Sequence, residues 1–502
     1  MIFFIYIAER NAVNKQIRKA VKDLEKDIAS LAKKDPKSFF KYANSKLKTK
    51  SGMGDLITEN GIVMSDDKEK AQELNNFFSS VFTQEDTVNM PQDMPVKTVK
   101  EKLANVVFNE SDISKILRNL KPNKSPGPDK VHPRVLNECA SELSIPLYIL
   151  FRKSLDEGTL PQMWKDGHIS AIFKKGSRCQ VNNYRPISLT SVVCKVLEKL
   201  VRNSLMQHLM DNQLISDAQH GFMPGRSCTT QLLQVLDKWT EILDTGGEVD
   251  VIYLDYAKAF DSVPHQRLIL KLQSYGVSDN VLMWIKSFLQ TRRQRVVVAG
   301  SESDWAPVLS GIPQGTILGP VLFLCFINEM PQCLKSKVFL YADDSKISRR
   351  IADISDCQIM QEDIEAALVY SNTWQLRFNT EKCKAMHIGH HAQSNKFEYS
   401  IKADGESKIL EETTLEKDLG VWIDNDLKFS SHVEQAVKKA NQMLGIIKRS
   451  FEYIDCDVLK QLYVAIVRPH LEYGNVVWHP RFKRQVQMLE NVQHRATRLV
   501  PA

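Results

Sequence analysis

Two adjacent acidic residues lie inside an apolar stretch of this chain, in the tetrapeptide Tyr341-Ala342-Asp343-Asp344. Val338-Phe339-Leu340 precedes it and Ser345-Lys346-Ile347 follows it, a pattern that predicts a tight β-hairpin with both carboxylates at its tip. Like charges side by side are unfavourable unless a cation holds them, and divalent cations such as Mg²⁺ prefer oxygen ligands. The tetrapeptide therefore indicates a metal site, although an Asp-rich turn is the simpler explanation of these residues taken alone.

A third acidic residue, Asp255, ends an apolar strand that we predict over residues 249–255. One carboxylate on this strand and two on a neighbouring hairpin can hold two metal ions for in-line phosphoryl transfer. The backbone carbonyl of Tyr256 offers one more oxygen ligand. A helix N-cap is the alternative role for Asp255. Taken together, the three aspartates point to a nucleic-acid polymerase.

Phe260 and Gln314 are candidates for contact with a nucleotide. Phe260 follows Asp255 by five residues, and its ring could form the floor under a bound sugar. A bulky ring there would clash with a ribose 2′-hydroxyl, so it would favour deoxynucleotides; a ring of the core is the alternative. Gln314 lies in the loop Gly311-Ile312-Pro313-Gln314-Gly315, where it offers both a donor and an acceptor to a base or sugar edge. A structural loop before a helix is compatible with that role.

Basic residues flank the same segments. Lys174 and Lys175 follow a predicted strand at 168–173, and Arg185 lies ten residues further on, so a hairpin could present all three to a triphosphate. An exposed basic turn is the alternative. A lysine at 382 or 384 could protonate the departing pyrophosphate, and a solvent-facing lysine is an equally simple explanation of either.

The charge distribution suits a polyanionic partner. The 502 residues carry a net charge of +7, and residues 15–50 alone hold 12 lysines and arginines against 4 acidic residues. Basic ends around an acidic middle fit a substrate gripped at its phosphate backbone. The nine cysteines form no C-x-x-C pair, which favours a reducing compartment, the cytoplasm and/or the nucleus rather than the secretory route. The apolar start, residues 1–7, is too short to span a membrane.

Helices and strands interleave irregularly in the predicted pattern, which indicates an α+β fold. The stripe Ile17, Val21, Leu24, Ile28 and Leu31 predicts a helix that packs on the main body. We predict further helices at 68–82, 111–119, 140–157, 188–211, 228–243, 265–274, 279–290, from the 311–315 loop to about 330, at 358–376 and beyond 430. Strands are predicted at 168–173, 249–255, 294–299 and 384–388, and a hairpin at 337–348.

Taken in chain order, these segments resemble the reverse transcriptases of non-LTR retrotransposons, of the jockey and chicken-repeat type of LINE element. The resemblance covers nearly the whole chain. It rests on residues 124–129 (KSPGPD), 183–189 (NYRPISL), 219–222 (QHGF), 254–261 (LDYAKAFD), 263–265 (VPH), 311–323, 341–344 (YADD), 417–421 (KDLGV) and 467–474 (VRPHLEYG).

The resemblance implies a right-hand polymerase with an antiparallel palm sheet. Fingers would span residues 101–245, the palm 246–420 and the thumb 421–502, after a helical extension and connector over 1–100. It also implies an RNA template, a DNA primer and dNTPs as partners, and no membrane.

The resemblance also implies residue roles. Asp255, Asp343 and Asp344, with the Tyr256 carbonyl, would hold two Mg²⁺ ions, with Mn²⁺ as the alternative ion. Lys174 or Lys175 and Arg185 would contact phosphates, Phe260 would be the sugar gate, and Gln314 would support the template–nucleotide pair. Lys382 would be the better candidate for the proton donor.

Two departures from the family qualify these expectations. About 100 residues before the fingers are too few for the endonuclease that such elements usually carry, and the thumb stops inside a region that normally continues. A catalytically inactive relic that binds RNA without turnover is therefore the main alternative. An RNA-templated RNA polymerase is a third possibility, against which Phe260 argues.

Overall fold

A computed structural model describes residues 2–47, 52–58, 60–91, 97–389, 397–403 and 405–500. Strands and helices interleave along these ranges, which confirms the predicted mixture of the two. None of the helices in these ranges is long and apolar enough to cross a membrane.

Helices and strands are numbered separately, each in chain order. The helices are α1 (Ile2–Leu31), α2 (Pro36–Lys46), α3 (Asp67–Ser80), α4 (Glu110–Arg118), α5 (Pro133–Glu138), α6 (Ala140–Asp156), α7 (Gln162–Lys165), α8 (Val192–Asp211), α9 (Cys228–Asp244), α10 (Ala259–Ser262), α11 (His265–Ser274), α12 (Asp279–Leu289), α13 (Gly319–Ile327), α14 (Ile354–Thr373), α15 (Ser430–Ser450), α16 (Cys456–Leu462), α17 (Arg468–Glu472) and α18 (Lys483–Thr497). The strands are β1 (Leu56–Ile57), β2 (Val63–Met64), β3 (Asp166–Phe173), β4 (Tyr184–Leu189), β5 (Glu248–Leu254), β6 (Arg293–Val298), β7 (Ser301–Glu302), β8 (Ala306–Pro307), β9 (Lys337–Tyr341), β10 (Asp344–Ile351), β11 (Lys384–Ile388), β12 (Ser400–Ala403), β13 (Glu406–Ile409), β14 (Glu411–Glu412), β15 (Leu415–Asp418) and β16 (Val421–Asp424).

A five-stranded sheet in the order β14-β11-β5-β10-β9 carries the candidate site. β5 runs antiparallel to β10 and to β11, and β10 runs antiparallel to β9, whereas β14 joins β11 in parallel. Val249 and Val251 pack on one face of β5 in a cluster with Trp239 of α9, and Ile252 and Leu254 pack in the main core on the other face. Because β5 is covered on both faces, its sequence is a nearly continuous apolar run, and its register is firmly set.

A second sheet lies beside it, in the order β4-β3-β6-β7, with β8 also paired to β6. The β3–β4 pair is the predicted antiparallel hairpin, and β6 joins β3 in parallel. Leu74 and Phe78 of α3 pack on this sheet against Ile169 and Val296. Helix α3 of the predicted connector is thus part of the body that contains β3 and β4.

The N-terminal helices pack against the C-terminal helices α15 and α16, and the predicted apolar stripe of α1 is wrong. Ile17, Leu24 and Leu31 are exposed, whereas Ile28 and the charged Glu25 are buried. The Glu25 carboxylate accepts hydrogen bonds from the backbone N–H groups of residues 452 and 453 and from a tyrosine of α2. A buried carboxylate with three donors satisfies the rule that buried charge must be hydrogen-bonded, and periodicity alone does not reveal such a pairing.

Most predicted element bounds agree with the structure to within a few residues, and the 265–274 helix and the 384–388 strand agree at both ends. The helix predicted from residue 188 begins instead at Val192, because β4 continues to Leu189 and the Ser191 hydroxyl then accepts a hydrogen bond from the N–H of Cys194. The helix after the glycine-rich loop begins only at Gly319, since the chain turns at Gln314 and Gly315 and bends again at 317–318.

Candidate active site

The Asp343–Asp344 hairpin forms as predicted. Tyr341 pairs with Asp344 across the turn, and Ala342 adopts the left-handed conformation with φ of 56°. Hairpin turns of two residues require positive φ, and an alanine tolerates that conformation only where other contacts hold the turn. The turn places Asp344 at the first position of β10 and Asp343 at the tip.

Gln219 supplies the contact that holds this turn. Its Oε1 accepts hydrogen bonds from the N–H of Ala342 at 2.9 Å and from the N–H of Gly221 at 2.8 Å. A Cβ atom on Gly221 would lie 2.4 Å from the Ala342 nitrogen, so only glycine allows this approach. The segment QHGF stands out in the sequence, but the support that Gln219 gives to the turn depends on a contact 123 residues away.

The register of β5 against β10 brings Asp255 beside the hairpin. Leu254 pairs with Ser345 in the antiparallel register of these strands. Asp255, which follows Leu254, is therefore a neighbour of Asp344, which precedes Ser345, at the same end of the two strands. The N–H of Asn379 donates a hydrogen bond of 2.7 Å to the Asp255 carbonyl and fixes the chain where it leaves the strand. The three aspartates that the sequence singles out are thus neighbours in space.

The electrostatics of the site show that the three carboxylates act on one another. Burial and the negative charges of Asp343, Asp418 and Asp255 raise the pKa of Asp344 to about 6. Burial and the charge of Asp255 likewise raise the pKa of Asp343, against the opposing effect of Arg185. Raised carboxyl pKa values mark a place where negative charge is in excess, which is where a cation binds favourably.

A lysine contacts the first of these aspartates. Lys382 Nζ lies 2.7 Å from Asp255 Oδ2, whereas Lys384 Nζ lies 3.4 Å from Glu416 and 3.7 Å from Glu411. The sequence alone leaves the choice between the two lysines open, and Lys382 is the one at the carboxylate.

The β3–β4 hairpin brings the other predicted basic residues to the same place. Burial and the positive charges of Arg185, Lys382 and Lys175 lower the pKa of Lys174. Lys175 also lines the cleft that contains Asp255. The charge of Asp255 also acts on Lys174, so these cations lie near the first aspartate, where positive charge attracts an anion with several negative charges.

The rings of Tyr256 and Phe260 are packed rather than free. The Tyr256 ring is buried and stacks on Phe378 at a centroid distance of 4.6 Å. The Phe260 ring stacks on Phe323 at 4.5 Å and is half-buried. Phe260 is also tied to the glycine-rich loop, because its carbonyl accepts a hydrogen bond from the N–H of Ile312. The ring therefore has a fixed position on Phe323, and its backbone is tied to that loop.

Gln314 is held by two partners. Its carbonyl accepts a hydrogen bond of 2.7 Å from the N–H of Ser188 on β4, and its Nε2 donates to both carboxylate oxygens of Asp261, at 3.0 and 3.1 Å. The sequence alone assigns no role to Asp261, since its pairing with Gln314 depends on how α10 packs against the loop.

A cleft of about 400 Å³ opens beside the aspartates, lined among others by Asp255, Asp344, Lys346, Lys382 and Asp418. Carboxylate oxygens are suitable ligands for Mg²⁺ or Mn²⁺, and the raised pKa values show a charge excess that such an ion would relieve. Within the described ranges, however, no group of three or more His, Cys, Asp or Glu side chains is already arranged to hold an ion. The aspartates have the ligand atoms that a divalent metal prefers, and they lie close together. A metal ion bound there would replace the Lys382 ammonium as the partner of Asp255.

Comparison with known proteins gives a consistent result. A family model described as reverse transcriptase (RNA-dependent DNA polymerase) matches residues 172–443. The RNA-directed DNA polymerase from the mobile element jockey of Drosophila melanogaster is 28% identical over 404 residues, which is 78% of this chain and 43% of the relative. The probable RNA-directed DNA polymerases from transposon BS and transposon X-element of the same species are 25% and 26% identical over 83% and 82% of this chain. Each covers 46% of the relative, so the chain spans about half the length of these curated relatives.

Proposed function

Because this chain belongs to the reverse transcriptase family, as the match over residues 172–443 establishes, we propose that it is an RNA-directed DNA polymerase of the non-LTR retrotransposon type. It would add dNTPs to the 3′-hydroxyl of a DNA primer on an RNA template. The pairing of Leu254 with Ser345, which makes Asp255 a neighbour of Asp343 and Asp344, is the observation that carries this proposal.

The reaction is a nucleotidyl transfer. The primer 3′-oxygen forms a bond to the α-phosphorus of the dNTP, the bond from that phosphorus to the bridging oxygen breaks, and pyrophosphate leaves. Asp255, Asp343 and Asp344, with the Tyr256 carbonyl, would hold two Mg²⁺ ions. The chemistry that such ions supply when bound is a lowered pKa of the attacking hydroxyl and stabilisation of the negative charge on the leaving group.

The basic residues would bind and orient the triphosphate. Arg185 lies on β4 and the two lysines directly follow β3, in a hairpin whose residues 168–173 pair with 184–189, which supports a position of these cations that is set before substrate binds. Arg185 can engage two phosphate oxygens with its planar group, whereas each lysine acts as a point charge. Lys382 would give a proton to the departing pyrophosphate from the position where it now contacts Asp255.

Phe260 and Gln314 would select the nucleotide. Phe260 is braced by Phe323, so its ring cannot easily move aside for a 2′-hydroxyl. The N–H of Ile312, two residues before Gln314, donates a hydrogen bond to the Phe260 carbonyl, so the two candidate residues are held near each other. Gln314 would contact the template–nucleotide pair. These two residues would make the site selective for dNTPs.

Primer extension tests the proposal. The purified chain is given an RNA template with an annealed DNA primer, Mg²⁺ and either dNTPs or NTPs. We expect extension with dNTPs, and a loss of about 10³-fold or more in Asp343→Asn, since a charged ligand is removed. Asp237→Asn, which changes an exposed aspartate on α9, is the matched control and should extend like the wild type.

Three other results would argue for something else. Equal extension by Asp343→Asn would refute the role of that carboxylate. Binding of the RNA–DNA duplex without extension by the wild type would favour the inactive relic, and a preference for NTPs would favour an RNA polymerase.

A further inference from the structure

The side-chain amide of Gln314 has only one orientation that its neighbour accepts. Gln314 Nε2 lies 3.0 and 3.1 Å from the two carboxylate oxygens of Asp261. An ionised carboxylate only accepts hydrogen bonds, so the NH₂ group must face it and the amide oxygen must face away. None of the described residues donates a hydrogen bond to Gln314 Oε1. The side chain therefore offers an acceptor, and not a donor, to whatever binds next to it.

The backbone on both sides of this pair is held in place. A Cβ atom on Gly315 would lie 2.5 Å from the Ser188 carbonyl oxygen, and a Cβ atom on Gly311 would lie 2.5 Å from the Asp261 carbonyl oxygen. The Ser310 hydroxyl donates a hydrogen bond of 2.8 Å to that same Asp261 carbonyl. The loop thus touches β4 on one side and α10 on the other, and the distance between Asp261 and Gln314 is set by backbone contacts.

We propose that Asp261 is a positioning residue that fixes the direction of the Gln314 amide, so that Gln314 Oε1 accepts a hydrogen bond from a donor group of the incoming nucleotide. The donor is a hydroxyl of its sugar or an amino group of its base. This inference rests on the proposed function, in which Gln314 contacts the template–nucleotide pair. Asp261 itself touches no substrate and acts through Gln314.

Protonation of Asp261 would remove this control. Burial raises the pKa of Asp261 to about 6, while the hydrogen bonds from Gln314 and the positive charges of Lys258 and Arg185 oppose the rise. Lys165, Arg292 and Arg293 line a groove that Asp261 and Gln314 also line. Above about pH 6 the carboxylate is ionised and holds the amide in one direction. Below it the carboxyl can donate, so the amide can turn and present its NH₂ group instead.

Nucleotide analogues test the inference on the full chain with its template and primer. The 2′,3′-dideoxy analogue of a dNTP lacks the sugar donor, and dITP lacks the 2-amino group of dGTP. We expect the wild type to use one of the two analogues with a kcat/KM lower by about 3- to 10-fold, the value of one hydrogen bond. Because dITP also loses one Watson–Crick hydrogen bond to the template cytosine, the analogue whose disadvantage shrinks in Gln314→Met identifies the donor.

The variants separate positioning from structure. In Asp261→Asn the amide at 314 can take either direction, so the enzyme should lose the part of the preference for the natural nucleotide that Gln314 supplies, mainly through KM. Gln314→Met should remove the same preference, and Asp261→Asn should then cause no further loss in that background. In the wild type the preference should also decline as the pH falls through about 6, a measurement that needs no variant.

The outcomes are distinguishable. Suppose that the wild type extends primers, prefers the natural nucleotide equally at pH 5.5 and 8, and shows the same preference as Asp261→Asn. That result overturns the positioning role and leaves the proposed function standing. A wild type that extends no primer overturns both. Additive losses in the double variant would show that Asp261 acts independently of Gln314, which also contradicts the inference.

Discussion

Lys382 Nζ lies 2.7 Å from Asp255 Oδ2, at the point where β5 ends next to the Asp343–Asp344 hairpin. The two side chains are each about two-fifths exposed, so the pair is open to solvent and to a ligand. Under the proposed function, a metal ion would replace the ammonium as the partner of Asp255, and the released Lys382 would be available for proton transfer.

Replacing Lys382 tests its part in proton transfer. We expect Lys382→Ala to lower kcat for nucleotide addition by about 10²-fold, the usual contribution of a general acid. Lys384→Ala is the matched control two residues away on the same segment. It should change kcat by less than about threefold, because its ion pairs with Glu411 and Glu416 are partly exposed and such pairs contribute little. Single-turnover kinetics measure both, and a larger loss in Lys384→Ala would reverse the assignment.

Asp344→Asn should make the metal-free protein more stable. The pKa of Asp344 is raised to about 6 in the folded protein, so the folded state binds its proton more tightly than the unfolded chain does. The corresponding stability is present at low pH and is lost as the pH rises through about 6. Because Asp344 is an exposed residue and solvent screens its charge, we expect a gain of about 1 kcal/mol at pH 7.

Thermal unfolding at pH 4 and pH 7 measures this gain. The variant and the wild type should differ little at the lower pH and more at the higher pH. Added Mg²⁺ should stabilise the wild type more than the variant. A wild type that is the more stable of the two at pH 7 without metal would contradict the excess of negative charge at this site.

Gln219 should matter for both stability and activity. In Gln219→Ala the N–H groups of Ala342 and Gly221 lose their acceptor, which should cost about 2 kcal/mol and loosen the turn that carries Asp343. Gln219→Glu keeps an acceptor oxygen and should lose less. Gln234→Ala, an exposed glutamine on α9, serves as the control. Denaturant unfolding and primer extension are the measurements, and unchanged activity in a destabilised Gln219→Ala would separate the turn from catalysis.

Phe260→Ala should admit ribonucleotides. The ring is fixed against Phe323, and its removal would open space under the sugar if it is the floor of the nucleotide site. We expect the ratio of kcat/KM for dNTP over NTP to fall by about tenfold or more. The loss of a half-buried ring should also lower stability, so the melting temperature must be recorded beside the kinetics. An unchanged ratio would remove Phe260 from its role as sugar gate.

Glu25 should anchor the N-terminal helices to the C-terminal ones. Its carboxylate accepts hydrogen bonds of 2.9 and 2.8 Å from the N–H groups of Glu452 and Tyr453, and of 2.6 Å from the Tyr42 hydroxyl. We expect Glu25→Ala to reduce stability by about 2 kcal/mol. Glu9→Ala, on the exposed part of the same helix, should have almost no effect. Hydrogen exchange of residues 452 and 453 should rise in the first variant, and equal protection in both would contradict the anchor.

Much of the central sheet can be predicted, because β5 and β9 contain apolar runs and acidic residues stand out just beyond the end of each. The hairpin at 337–348 and the strand at 384–388 are predictable for the same reason. The family resemblance supplies the order of the segments and the candidate roles. It does not supply the distances, and the roles of the site residues stay predictions.

What cannot be predicted depends on contacts between distant segments. Gln219 supports the turn only because residues 218–221 lie alongside β9. Asp261 holds Gln314 only because α10 packs against the glycine-rich loop. The predicted apolar stripe of α1 is wrong for the related reason that Glu25 is the residue with buried partners. Apolar periodicity does not count a charged residue such as Glu25 as buried. Its hydrogen-bond donors lie in distant segments, and the sequence pattern of the helix does not reveal them.

The measurement that tests the central claim most directly is single-nucleotide addition by Asp255→Asn, compared with the wild type and with Asp237→Asn, on an RNA template in the presence of Mg²⁺. If Asp255 works together with Asp343 and Asp344, the variant should be folded, should bind the RNA–DNA duplex like the wild type, and should add nucleotides about 10³-fold more slowly or not at all. Addition at the wild-type rate by a folded Asp255→Asn would show that the neighbouring aspartates at this edge of the sheet are not the catalytic group.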